Sequence, residues 1–224
     1  DLTRPRMMIP PPVIAVDRGR HELQALAVLF EDMDRAYRRV AGLHHLDCQG
    51  CPDNCCRTLF HHHTLVEVLY VYTGLCSPQA VEQRAECFRR AQAFQCAQAK
   101  AAAGQVPSRA WCPLSQQARC RLYAFRPMIC RLHGVPNRFR HPVRGWVSGP
   151  GCHRLPPSLP AAPDQWLDRT PFYERLADIE RRLRTRLAFH ARVRMTLADM
   201  LITLQPHLDP AVPPFEGATG STER

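Results

Sequence analysis

The chain has 224 residues, a formal charge of +10 and 11 cysteines. Its 45% hydrophobic content suffices to bury one core, and no apolar run reaches the length of a bilayer, so a membrane span is not expected. An odd cysteine count in a chain this long argues against a secreted disulfide scaffold. No charged-then-apolar leader pattern is found either, so the expected compartment is the cytoplasm.

The predicted architecture is mainly α, with helices packed around an irregular, cysteine-rich, metal-stapled middle. Residues 1–16 are rich in proline and read as an extended arm. Residues 17–204 read as a single metal-binding domain ending in a long helix, and 205–224 as a flexible tail. Within the domain Asp17 is a candidate N-cap for a helix reaching Val40, with Leu23, Leu26, Leu29, Phe30, Met33 and Tyr37 in one apolar stripe. Thr64-Leu65-Val66-Glu67 has the form of a capping box and opens a helix over 65–73. The preceding run His61-His62-His63 is expected to be exposed. Ser77-Pro78 opens a helix over 78–103. Cys87 and Cys96 fall inside it, point different ways and read as small apolar filler. Residues 105–160 are irregular, with short strands expected at 121–125 and 144–147. Thr170-Pro171 opens a helix read as continuous over 171–204, with Leu176, Ile179, Leu183, Leu187, His190, Val193, Leu197, Met200 and Leu201 on its apolar face. Its other face is rich in arginine and is the expected contact for a protein partner.

Chemistry concentrates in the cysteines. Cys48, Cys51, Cys55 and Cys56 fall within nine residues, and Cys112, Cys120, Cys130 and Cys152 follow in polar or turn-rich sequence. A donor set made only of thiolates favours zinc or iron–sulfur clusters over hard cations. A C-x2-C step lets two thiolates reach one centre from a tight turn, which Gly50 permits. Adjacent Cys55 and Cys56 sit more easily on two metals of a polynuclear centre than on one ion. Arg126 and Arg131, flanking Cys130, are candidates to offset thiolate charge and to hydrogen-bond sulfur. His133 and His153 adjoin candidate ligands, and Tyr123 is a candidate to pack beside the centre.

The pattern C-x2-C-x3-C-C, then Cys112-Pro113-Leu114, then Cys120-x2-Tyr123-x2-Arg126-Pro127-x2-Cys130-Arg131, resembles the CxxCxxCC cysteine-cluster proteins of the YkgJ type, described as zinc- or iron-chelating. The resemblance covers about residues 45–155. It implies metal binding by Cys48, Cys51, Cys55 and Cys56, and by Cys112, Cys120, Cys130 and Cys152. Flagellin lysine N-methylases carry a similar cysteine motif associated with a [4Fe–4S] cluster, which tilts the metal expectation toward iron–sulfur. This chain has three residues rather than two between Cys51 and Cys55, leaving Cys55 and Cys56 as alternative equivalents of one ligand.

The expected function is therefore that of an intracellular protein holding an iron–sulfur cluster, [4Fe–4S] before other types, that supports redox chemistry or modification of a protein or peptide. The alternative is a structural zinc (Zn2+) module for interactions. No nucleophile elbow, P-loop or dinucleotide fingerprint is present, so any enzymatic activity is expected to depend on the metal, as in a protein-modifying methyl transferase or an oxidoreductase. Nucleic acid is not an expected partner, because no recognised binding motif or finger spacing occurs.

Overall fold

The structure, a computed structural model, describes residues 8–46, 55–103, 110–117, 119–155 and 162–208. The expectations for residues 1–7 and 209–224, and for Cys48 and Cys51, lie outside these. The fold is mainly α, as the periodicity predicts. Its helices are α1 (Pro12–Arg18), α2 (Arg20–Leu43), α3 (Leu65–Leu75), α4 (Pro78–Val81), α5 (Arg84–Ala102), α6 (Met128–Leu132), α7 (Thr170–Leu187) and α8 (Leu197–Leu204). Among the described residues, no helix is long and apolar enough to cross a membrane.

Helix α3 is the axis of the core. Every residue from Leu65 to Leu75 is buried, as befits a helix that is apolar all round. Around it, α2 packs against α7 and α6, and α5 packs against α8. The expected stripe of α2 does face inward, with Leu23, Leu26, Leu29 and Met33 fully buried. Gly74 lets the Phe125 ring lie directly on α3, since a Cβ there would stand 2.5 Å from Phe125 Cγ.

Several boundaries differ from the sequence reading. The arm is not extended to residue 16: α1 starts at Pro12, because proline at a first helical position needs no donor and has its φ preset. Asp17 sits inside that helix and pairs with Arg20 at 3.2 Å rather than capping α2. The helix expected over 78–103 is interrupted between α4 and α5. The helix expected over 171–204 is two. Ala188 takes a left-handed conformation (φ 49°), and the Phe189 amide bonds to the Arg184 carbonyl at 3.0 Å, closing α7 without a glycine. Thr196 and Asp199 then form a reciprocal capping box that opens α8.

Between α5 and α7 lie the small strands. β1 (Ser115–Gln116) pairs antiparallel with β2 (Arg119–Cys120). β3 (Asn137–His141) pairs antiparallel with β4 (Gly145–Gly149) and parallel with β5 (Leu167–Asp168), giving the order β4-β3-β5. The strand expected at 144–147 is thus present as β4. The one expected at 121–125 is replaced by a 3-10 turn over Tyr123–Phe125.

Buried charges knit these layers. Both oxygens of Glu180 on α7 accept the first amides of α3, Leu65 N–H at 2.8 Å and Val66 N–H at 2.9 Å. Such a carboxylate supplies partners for orphan donors where the helix dipole favours negative charge. The capping box at Thr64 is only half closed. Glu67 takes the Thr64 hydroxyl at 2.6 Å, but its other oxygen accepts the amide of Met128 at 2.8 Å and so anchors the start of α6. Burial raises the Glu67 pKa above the usual carboxylate value. Being raised, it favours the fold below the unfolded pKa and loses that contribution as pH rises through the folded one. Glu67→Gln, which keeps the acceptor and carries no charge, is expected to shift the urea unfolding free energy by less than about 1 kcal/mol. Glu67→Ala is expected to cost about 2–4 kcal/mol. Equal losses for the two would contradict the role given to the acceptor.

His62 is buried, contrary to the exposure expected for the histidine run. Its backbone forms an antiparallel bridge with Met195, N–H to O at 2.7 Å and the reverse at 3.0 Å. Its Nε2 has no hydrogen-bond partner among the described residues. Burial, with repulsion from His63 and His61, lowers its pKa from 6.5 to about 4. The unfolded chain then binds a proton that the folded chain refuses. Stability is therefore full above the unfolded pKa and falls as pH drops toward the folded one. At about pH 4.5 the loss from this residue should reach 2–3 kcal/mol relative to neutral pH. His62→Leu should remove that part of the acid slope in urea titrations, and an unchanged slope would contradict it.

Candidate metal centre

Three chain segments bring four thiols together. Cys55 and Cys56 open a 3-10 turn over Cys55–Arg57, and the Arg57 guanidinium lies 4.4 Å over the Trp111 ring. The Cys112 amide donates to the Cys56 carbonyl at 2.8 Å, fastening the second segment to the first. Cys112 then turns into the β1–β2 hairpin through a Ser115 N–H to Cys112 O bond of 2.9 Å, and Ser115 pairs with Cys120 across the strands. The third segment is α6, which carries Cys130 and whose first amide is held by Glu67.

The electrostatics of Cys56, Cys112, Cys120 and Cys130 are mutual. Burial pushes Cys112 up to about 12, with the charges of Cys120 and Cys56 adding to it. Burial pushes Cys120 up to about 11, again with Cys56 contributing. Cys130 is raised well above the ordinary thiol value by burial, then by Cys112 and Cys120. Cys56 goes the other way, to about 7, because Cys55 and Ser115 hydrogen-bond to it and the Arg126 guanidinium stabilises its thiolate. Cys76, Cys87, Cys96, Cys112, Cys120, Cys130 and Cys152 carry free thiols.

Arg126 is the cation shared by three of the four: its charge lowers the pKa of Cys56, Cys120 and Cys130 alike, while Arg90 acts on Cys112. It is held by Nε donating to the Tyr123 carbonyl at 3.0 Å and by stacking 3.5 Å over the Tyr123 ring. Tyr123 is itself 63% exposed and so braces Arg126 from the solvent side. Arg131 is committed elsewhere. It donates to Asp34 Oδ2 at 2.6 Å, to the Arg126 carbonyl at 2.7 Å and to the Ala124 carbonyl, and it lies 4.3 Å over the Phe30 ring. It thus fixes the backbone from which Arg126 projects.

The remaining candidates are Cys152, His153 and His133. Cys152 sits at the root of the β3–β4 hairpin, its amide donating to Gly134 O at 2.7 Å and its sulfur 3.9 Å from His153 Nδ1. Gly151 beside it (φ 88°) permits the close crossing, since a Cβ there would lie 2.6 Å from Gly134 O. The His133 ring packs edge-on against Phe60 at 5.0 Å, and burial together with Arg169 lowers its pKa. Residues the motifs did not single out also belong to the site: Ser115 bonds to Cys56, Asp34 holds Arg131, and the Cys87 charge on α5 reaches Cys120. Ser115, three residues past Cys112, was open to a turn-based reading. Asp34 and Cys87 lie on helices with no local sign of their neighbours.

The donor set fits a thiophilic metal. Buried thiols that repel one another as thiolates stay protonated alone, and a bound cation removes both penalties. No group of three or more His, Cys, Asp or Glu among the described residues is placed to hold a metal ion. Comparison with protein-family models, with curated proteins and with solved structures finds no match to this chain.

Proposed function

We propose that the chain is an intracellular metal protein whose thiolates hold an iron–sulfur cluster, with [4Fe–4S] the type that the cysteine-motif resemblance favours. Cys56, Cys112, Cys120 and Cys130 are the ligands nearest to forming one centre, and the loop of Cys48, Cys51 and Cys55 supplies the rest. The observation that carries the reading is the convergence of four mutually influencing thiols from three segments, three of which, Cys56, Cys120 and Cys130, share the cation Arg126. Thiols packed only as small apolar filler need no such convergence.

Each residue has a role in this reading. Cys56, already near its thiolate form at neutral pH, engages metal first. Cys112, Cys120 and Cys130 release protons as they bind, so affinity rises with pH. Arg126 balances the negative charge left on the sulfurs. When bound, such a cluster supplies one-electron transfer, or a coordination position at any iron lacking a cysteine.

The test is purification without oxygen, with a visible spectrum and with iron, zinc and acid-labile sulfide measured on one sample. Brown protein with matched iron and sulfide is expected. Colourless protein with stoichiometric zinc would replace the cluster with a structural zinc site, and metal-free protein would remove the reading altogether.

A further inference from the structure

Two groups of arginines differ in their partners. Those of α7 are neutralised within the fold: Arg175 pairs with Asp32, Arg181 and Arg182 with Asp178, Arg184 with Glu180, and Arg186 with Glu22. The β3–β4 hairpin differs. Arg138, Arg140 and Arg144 have no carboxylate partner among the described residues, and Arg138 Nε is buried with no hydrogen-bond partner.

The hairpin register sorts its side chains. Phe139 and Val147 face each other across the strands, and Phe139 packs against Tyr173 of α7 at 5.4 Å, so this face is turned inward. Arg140 pairs with Trp146 and Arg138 with Ser148, so these four share the outer face. Trp146 is 59% exposed, and the Arg138 guanidinium lies 5.1 Å from its ring. The tip is held in shape, because His141 Nδ1 accepts the amides of Val143 at 3.1 Å and Arg144 at 3.2 Å. Among the described residues β4 is also an edge strand, five residues long and free of proline. Edge strands of this kind invite pairing with another chain.

We propose that β4 and the outer face of its hairpin dock an extended acidic segment of a partner protein. The segment adds as a strand beside β4. Its backbone uses the open edge, and its alternate carboxylates lie on the outer face, over Trp146 and toward Arg138 and Arg140, with Arg144 at the tip. Charge complementarity and the open edge together favour this occupant. A nucleic-acid strand would use the arginines and the ring but not the edge. The proposal does not depend on the metal, although the hairpin root lies at Cys152.

The test uses the full chain and a synthetic peptide of about eight residues alternating glutamate with valine. A second peptide has lysine in place of glutamate. Binding of the first, weakened about tenfold or more in the triple variant R138Q/R140Q/R144Q, is expected. Slowed amide exchange at Gly145–Gly149 should accompany it. Trp146→Ala, an exposed change that leaves the edge intact, should weaken binding less than the triple variant does. Circular dichroism of each variant checks that the fold persists. No binding, equal binding of the lysine peptide, or equal binding by the triple variant would overturn the proposal. So would binding without protection of β4. Binding of single-stranded DNA with none of the peptide would overturn it in favour of nucleic acid.

Discussion

Replacing Cys130 by serine is expected to deplete the purified protein of its metal. Serine matches cysteine in shape but is a hard, weakly acidic donor, and it does not offer a soft metal the ligand it prefers. The loss should exceed the roughly 10–100-fold that follows removal of an outer hydrogen-bond partner of a metal ligand. Cys112→Ser and Cys120→Ser should behave alike, because the three thiols share one electrostatic environment. Cys96→Ser is the matched control: Cys96 is exposed on α5 and should leave metal content unchanged. Metal per protein, measured side by side after purification without oxygen, distinguishes these outcomes. Full metal content in Cys130→Ser would remove Cys130 from the ligand set.

Arg131→Met should destabilise the metal-free protein by about 3 kcal/mol, within the range for breaking a buried ion pair. The guanidinium joins Asp34 on α2 to two backbone carbonyls of the 124–126 turn while lying on Phe30. Methionine keeps the packing and loses every bond. Asp34, whose side chain is 28% exposed, recovers part of its hydration, which keeps the loss at the lower end of that range. Arg131→Lys retains the charge but not the planar fork, and about half the loss is expected. The unfolding midpoint in urea, taken in the presence of a chelator, separates this from any effect of metal. A change below about 1 kcal/mol for Arg131→Met would show that the turn holds itself.

How far the sequence could be read depends on whether the cause is local. The apolar stripe of α2 and the all-apolar run of α3 state their burial in every turn, and both helices are where periodicity puts them. The break between α7 and α8 was hidden, because Ala188 takes the left-handed conformation that glycine usually marks, and Leu187, His190, Val193 and Leu197 keep helical spacing across it although His190 is exposed. Thr196 and Asp199 did carry a capping signal, which the continuous stripe overrode. Glu67 looked like half of a capping box, yet it serves an amide 61 residues away. The site divides the same way. Cys112, Cys120 and Cys130 stood out by residue type, and Arg126 by its motif. That Arg131 is spent on Asp34 could not be foreseen, because Asp34 lies on another helix, where it also comes within 3.9 Å of Arg126. Of the arginine face expected over 171–204, the part on α7 pairs with Asp32, Asp178, Glu180 and Glu22, whereas Arg138, Arg140 and Arg144 of the β3–β4 hairpin have no carboxylate partner among the described residues.

The most direct measurement is X-ray absorption at the iron and zinc edges of the full chain purified without oxygen. The account predicts an iron signal whose nearest shell is sulfur at about 2.3 Å, the distance typical of metal–thiolate bonds, together with an iron neighbour from a polynuclear centre. A shell of nitrogen or oxygen alone, or no bound metal, would contradict the claim that these thiols form a metal centre.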